Sequence, residues 1–477
     1  MKNTRISSGI SGIDQILHGG FIRSKAYLLR GDAGTGKSTA GYHFLAEGVR
    51  QGETSLLITL GEPKENIFRN TANMNIDLTE VEILDMSPED TFYTEDQGYS
   101  VFLSSEVETE PMVEKIVEAI SEYRPDRVML DSLTMLKYLY QDPFQYRNRV
   151  LSFIRYICSG GATLVMISES QVETNEDEAE FWVDGVLNFI NSSNWRSFSV
   201  KKFRGSDFHS GNHALKMTDN GIKVYPQLRP NRFERTFKSD PHPFGITELD
   251  SMLNGGIERG TITMISGPTG VGKTNLGIQF MKQAASRNDR SVIYTFEESV
   301  DVIVKRSKLL SIPVDEMIRN GNLEIKYIQP FAYSPDEFSD LVQQDIEINN
   351  TQNVLIDSVR AYGLSVREGD SLERLHSLCV YMGNMGVTGF LISETSNITG
   401  QFVTANLHAS YLADNIIFLR YLELDGELRK AVGVLKKRLS DFEKSIREFN
   451  ITSGGIKVGN PLTHLRGILT GVPESLK

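Results

Sequence analysis

Short runs of β-branched and aliphatic residues recur along the chain, each closed by a polar or glycine-bearing turn. They fall at residues 55–60, 127–130 and 163–167, and again at 291–295, 353–356 and 388–392. Amphipathic stretches separate them. A strand with one wet face alternates apolar and polar residues; continuous apolar runs instead predict strands covered on both faces, in a mostly parallel sheet flanked by helices. The longest uncharged stretch, residues 375–393, is 19 residues long. It includes His376, Asn384 and three glycines, and predicts a helix, a turn and a buried strand rather than a membrane span. Residues 1–12 lack the apolar core of a signal peptide.

The pattern occurs twice. Asp14, the run Leu17-His18-Gly19-Gly20 and the loop from Gly31 to Ser38 return as Asp250, Leu253-Asn254-Gly255-Gly256 and the loop from Gly267 to Thr274, at a constant offset of 236 residues. A repeat of that length is a domain duplication rather than a solenoid unit. Between the copies, Pro226, Pro230, Pro241 and Pro243 stand among polar residues, which reads as a linker because proline removes backbone donors and disfavours helix before it. The expected organisation is an N-terminal α/β domain over 1–228, a linker over 229–243 and a C-terminal α/β domain over 244–477.

Composition narrows the classes. The chain has 477 residues, 40% of them apolar, and 50 Lys plus Arg against 62 Asp plus Glu, for a net charge of −12. Such a field does not attract a phosphate backbone, though a local basic groove is compatible with it, and the acidic stretches at 105–110 and 173–180 count further against nucleic acid. Two cysteines, Cys158 and Cys379, make no disulfide framework and fit a reducing cytoplasm.

Both duplicated loops match the phosphate-binding pattern: Gly31-Asp32-Ala33-Gly34-Thr35-Gly36-Lys37-Ser38 and Gly267-Pro268-Thr269-Gly270-Val271-Gly272-Lys273-Thr274. Glycines let backbone N–H groups curl around a phosphate without Cβ obstruction. The lysine adds charge at the β and γ oxygens, the hydroxyl of Ser38 or Thr274 ligates Mg2+, and the helix that follows presents its positive end. Two strand ends in acid, Asp131-Ser132 and Asp357-Ser358, supply the expected carboxylate partners of the metal. A base near the γ-phosphate is also needed, and Glu297-Glu298 ends the strand after the second loop's helix. The matching first-copy positions are Gly61 and Glu62, so Glu297 has no carboxylate counterpart. Lys202 and Arg204, repeated as Lys436 and Arg438, alternate on a late strand and share a face. They suit either cations that reach a neighbouring subunit's γ-phosphate or a charged edge that guards against aggregation.

Taken together, the doubled Gly-Gly element, both loops, both Asp-Ser strand ends, Glu297-Glu298, the basic strands and Lys444-Ser445-Ile446-Arg447-Glu448-Phe449 resemble the KaiC family of tandem RecA-like ATPases. The resemblance spans nearly the whole chain. It implies a homohexamer of two stacked rings with ATP and Mg2+ between subunits, a first ring that hydrolyses ATP, and a second ring that reversibly phosphorylates its own residues across the interface. On that resemblance the nucleotide contacts are Gly34, Thr35, Gly36, Lys37, Ser38 and Thr39 in the first copy and Gly270, Val271, Gly272, Lys273, Thr274 and Asn275 in the second, completed by Lys202, Arg204, Lys436 and Arg438. Glu62, Glu297 and Glu298 are the catalytic carboxylates, with Glu298 also near the metal.

The family's phosphate acceptors precede an Asp-X-Ile-Ile strand. Here that place reads Ser410-Tyr411-Leu412-Ala413-Asp414-Asn415-Ile416-Ile417. Ser410 fits the first acceptor, and Tyr411 stands where clock members carry threonine or serine. Residues 468–473 resemble the family's terminal loop, and the chain stops at Lys477, without the extension offered to the activator KaiA. The expectation is a homologue independent of KaiA, with a KaiB-like partner left open. Two other classes compete with the autokinase and ATPase: a RecA-like nucleic-acid motor, against which the acidic charge counts, and an ATP-dependent assembly scaffold, which Gly61 favours for the first domain.

Overall fold

The computed structural model describes residues 5–88, 105–138, 140, 142–169, 178–192, 195–365, 371–395, 410–424, 426–470 and 474–475. The chain divides into two compact units, Met1–Gln227 and Leu228–Lys477.

The first unit is built on strands β1 (Ala26–Gly31), β2 (Ser55–Thr59), β3 (Glu82–Asp85), β4 (Arg127–Asp131), β5 (Thr163–Glu169), β6 (Gly185–Asn191), β7 (Arg196–Phe203), β8 (His213–Thr218) and β9 (Gly221–Tyr225). They form one sheet in the order β9-β8-β7-β6-β1-β5-β4-β2-β3. The strands from β6 to β3 in that order are parallel, and β7 to β9 add an antiparallel edge. The second unit repeats this with β10 (Ile262–Gly267), β11 (Ser291–Thr295), β12 (Leu323–Tyr327), β13 (Asn353–Asp357), β14 (Thr388–Glu394), β15 (Asn415–Leu424), β16 (Glu427–Lys437), β17 (Arg447–Thr452) and β18 (Gly455–Pro461). Its order, β12-β11-β13-β14-β10-β15-β16-β17-β18, is the same topology. The uncharged stretch at 375–393 is the end of a helix, Ser371–Asn384, a turn and strand β14.

The apolar runs do what two-sided burial requires. Along β1, Tyr27 and Leu29 enter one core while Ala26 and Leu28 enter the core on the opposite face. Along β10, Ile265 lies in one core and Ile262 and Met264 in the other. Successive side chains point to opposite faces, so in a strand covered twice both sets are buried, even the occasional polar one such as Thr263.

Helices α1 (Lys37–Arg50) and α2 (Lys273–Ser286) follow the phosphate loops. Each lies on the strand that ends in aspartate, and glycine permits the approach. A Cβ on Gly41 would stand 2.4 Å from the Met129 sulfur, and one on Gly277 2.2 Å from a Leu355 methyl. The shared Asp14 and Asp250 brace the loop before the first short helix of each unit. Asp250 accepts from the N–H groups of Phe244, Gly245 and Ile246, and Asp14 from that of Ser8. Residues 230–237 lie on the second unit rather than free of it. Phe233 meets Tyr381 edge to face at 5.0 Å, and Arg235 N–H donates to Asn384 O.

Candidate nucleotide sites

The parallel strands converge on the phosphate loops. β1 and β10 occupy mid-sheet and run straight into them, and α1 and α2 begin at Gly36 and Gly272 in left-handed conformations, with φ of 102° and 116°. Side chains are excluded there twice over: by φ, and because a Cβ on Gly272 would stand 2.3 Å from an Ile451 methyl carbon. Lys37 and Lys273 are buried, each 6% exposed. Their ammonium groups donate to loop carbonyls, Lys37 to Asp32 O at 2.7 Å and Lys273 to Pro268 O at 2.9 Å. Burial lowers both pKa values. Carboxylates oppose that: Glu394, Asp357 and Glu297 around Lys273, and Glu169, Asp131 and Asp32 around Lys37.

Each loop hydroxyl reaches the expected aspartate. Thr274 Oγ1 donates to Asp357 Oδ2 at 2.7 Å, and Ser38 hydrogen-bonds Asp131. Burial pushes Asp357 up to about 6, against the hydrogen bond from Thr274, and raises Asp131 as well. Beside Thr274 lies a cavity of about 250 Å³, reached by Lys273, Asn275, Glu297, Arg306 and Glu394. Asn275 Oδ1 and Glu298 Oε2 are buried there without a partner among the described residues. Hydroxyl, buried carboxylate and orphaned oxygens suit a hard cation. Among the described residues no cluster of three His, Cys, Asp or Glu side chains is arranged to hold a metal unaided.

The two copies differ at the acidic strand end. In the second, Glu297 accepts from the Ser358 hydroxyl at 3.2 Å, and Glu298 Oε1 is paired with Arg306 at 2.5 Å. In the first, Glu62 receives Asn70 Nδ2 at 2.7 Å and the Tyr42 hydroxyl at 3.4 Å. Asn70 thus stands where Arg306 does, and Gly61 where Glu297 does. Two other expected contacts point away: the Thr39 hydroxyl faces the Met74 sulfur at 4.0 Å, and the Val271 side chain is fully buried in the core, leaving only its backbone to the loop.

The basic positions lie far from their own unit's phosphate loop. Phe189 pairs with Gly31 at the loop end of the sheet, whereas Lys202 pairs with Val186 near the opposite end. Lys202 donates to the Glu180 and Val183 carbonyls at 2.7 Å, and Arg204 to Phe181 O. Lys436 pairs with Ile416 and donates to Ala413 O at 2.6 Å and Ser410 O at 3.4 Å, while Arg438 meets Asp414 at 3.1 Å. Ser410 is therefore on the same rim as Lys436, away from Lys273. Tyr411 is 49% exposed, with its ring against His376. Residues 173–177 and 471–473 lie outside the described residues.

Sequence reasoning missed three features. Glu169 and Glu394 end β5 and β14 and act on the loop lysines; Thr269 donates to Glu394 at 3.1 Å. The signal was the repeated Ile167-Ser168-Glu169 and Ile392-Ser393-Glu394. Arg196 and Lys430, from the antiparallel edge, donate to the loop carbonyls Gly34 O at 3.4 Å and Gly270 O at 3.5 Å. Arg306 had no signal short of its Glu298 contact.

A family model described as the ATPase KaiC matches residues 6–229 and again 242–463. The circadian clock protein KaiC3 of Synechocystis sp. is 27% identical over 98% of this chain and 94% of its own length. The circadian clock oscillator proteins KaiC of Acaryochloris marina and Synechococcus elongatus are each 27% identical over 98% of this chain and 91% of their own.

Asp357 fixes the sign of a pH effect. Its folded-state pKa lies above the ordinary 3.8, so between that value and about 6 the folded, nucleotide-free protein holds more protons than the unfolded one. Its contribution is full below about pH 4 and is lost as pH rises toward 6. Urea midpoints of the second unit from pH 4 to 7 should fall more steeply in the native chain than in Asp357→Asn. Parallel curves would contradict this.

Proposed function

The chain belongs to the KaiC family of ATPases, and on that footing we propose that it is a Mg-ATP-dependent hexamer whose second unit phosphorylates its own Ser410 across a subunit interface and removes that phosphate again, as a signalling or timing switch of the circadian-clock type. One observation carries the reading: Lys273, the Thr274–Asp357 pair and Glu297 converge on a single cavity at the strand ends.

The chemistry is positioning and charge neutralisation. The loop N–H groups and Lys273 hold the β and γ phosphates of ATP. Thr274 with Asp357, and Ser38 with Asp131, would hold Mg2+, which would supply charge neutralisation at the phosphates. Glu297, on the cavity side of the strand end, accepts the proton of the attacking hydroxyl, water for hydrolysis or Ser410 of a neighbour for phosphorylation. Glu298 is tied to Arg306 and orients the strand end. Lys436 beside Ser410, and Arg438 beyond it, lie too far along the sheet to serve their own loop, which favours service to an adjoining protomer. Lys202 and Arg204 have the same relation to the first loop. Among the described residues no helix is long and apolar enough to cross a membrane, and the two free thiols suit a reducing cytoplasm. A KaiB-like protein remains the partner to test.

For the first unit a second reading has support: ATP there acts chiefly as assembly glue, because Gly61 and Asn70 replace Glu297 and Arg306. Turnover separates the two. With the first loop disabled by Lys37→Ala, Glu297→Gln should lower ATP hydrolysis about 10²–10⁴-fold. With Lys273→Ala disabling the second, Glu62→Gln should cost about tenfold or less. Equal losses would contradict the asymmetry. Incubation with γ-labelled ATP and phosphopeptide mapping should place label on Ser410. Label that persists when Ser410→Ala is combined with Tyr411→Phe would sink the acceptor assignment.

A further inference from the structure

The duplication contains its own control for core packing. In the second unit Tyr294, Phe296, Phe338 and Tyr362 form one buried aromatic cluster behind the Glu297-Glu298 turn, with Phe338 5.2 to 5.6 Å from the other three ring centroids. The first unit has the same backbone there. Leu60 N–H donates to Asp131 O as Phe296 N–H does to Asp357 O, and Leu136 to Ser132 O as Tyr362 to Ser358 O. The side chains are smaller: Ile58, Leu60, Met112 and Leu136 stand at the four aromatic positions. Phe153, at the place of Leu378, returns only part of the lost volume.

An apolar pocket of about 180 Å³, open to solvent along one side, lies there, lined by Leu60, Met112, Ile116, Leu136 and Phe153. Its wall is mostly apolar, with Tyr140, Ser152 and Arg149 also lining it, and Tyr156 and Val117, 44% and 40% exposed, stand at its edge. A dry cavity of about 150 Å³ lined by Leu, Ile and Phe is large enough to take benzene. The occupant chemistry is written in the sister unit, where aromatic rings fill the same place.

We propose that this cavity is a binding site for a compact uncharged molecule with a single aromatic ring, and that occupancy acts on the first nucleotide site through Leu60, two residues before Glu62. The regulatory half rests on the ATPase reading of the first unit; the binding half does not, and the two are measured separately.

The test uses the full chain with 13C-methyl methionine and benzene as probe. The Met112 methyl, identified by its loss in Met112→Leu, should shift saturably with benzene. The shift should vanish, or need at least tenfold more benzene, in Leu136→Phe and in Leu60→Phe, which place rings where the sister unit has Tyr362 and Phe296. Of these, a variant counts only if it keeps the native methyl spectrum elsewhere; should both lose it, Met112→Phe is read instead through the remaining methionines. No saturable shift in the native chain, or one undiminished in the filled variants, overturns the site. ATP turnover in the Lys273→Ala chain should change at least twofold on saturation; binding without any change would overturn the regulatory half alone.

Discussion

A lysine taken almost wholly out of water, with carboxylates around it that favour its charged form against burial, is the constraint on which each unit depends. Burial disfavours the ammonium form of Lys273, and Glu394, Asp357 and Glu297 oppose that. Those acids come from the ends of three different strands, and a parallel sheet is what brings three strand ends to one edge. The topology, the glycine at the helix start and the close seat of the helix on the aspartate strand all serve that convergence. The Lys273 ammonium donates to the Pro268 carbonyl of its own loop, which holds it at the convergence of those strand ends.

Duplication then allowed divergence without loss of the frame. The loops, the hydroxyl–aspartate pairs and the Asp14 and Asp250 braces are held in common. What changed is the acidic strand end and the layer behind it: Gly61 for Glu297, Asn70 for Arg306, and aliphatic residues for an aromatic cluster. The changes lie on one contiguous region of the first unit. Its nucleotide site has fewer charged groups at the strand end, and its backing is less filled.

The fold was legible because parallel strands buried on both faces leave an unbroken apolar signature, and because the offset of 236 residues aligned the copies. The loops and the paired aspartates were legible for a stronger reason: their chemistry depends on local spacing. Glu169 and Glu394 escaped because a lone acid after a buried strand means nothing until sheet order puts that strand beside β1 or β10. Arg196 and Lys430 escaped because they sit on the antiparallel edge, whose return toward the loop depends on register. The stretch expected as linker carries Phe233, and an aromatic ring there finds Tyr381 to pack on, whatever the prolines around it imply.

Lys436 and Arg438 lie at the end of the sheet opposite their own loop, so their use in phosphate chemistry requires a second protomer. Mixing two disabled chains tests this most directly: Lys273→Ala, which lacks the loop ammonium, and Arg438→Ala, which lacks the cation proposed to reach a neighbour. Each alone should hydrolyse ATP poorly at the second site. After exchange of protomers at equal concentration, about a quarter of interfaces join an intact loop to an intact arginine, and turnover should rise well above the parents' mean. A mixture no more active than that mean, or an Arg438→Ala chain as active as the native one, would contradict a site shared between protomers.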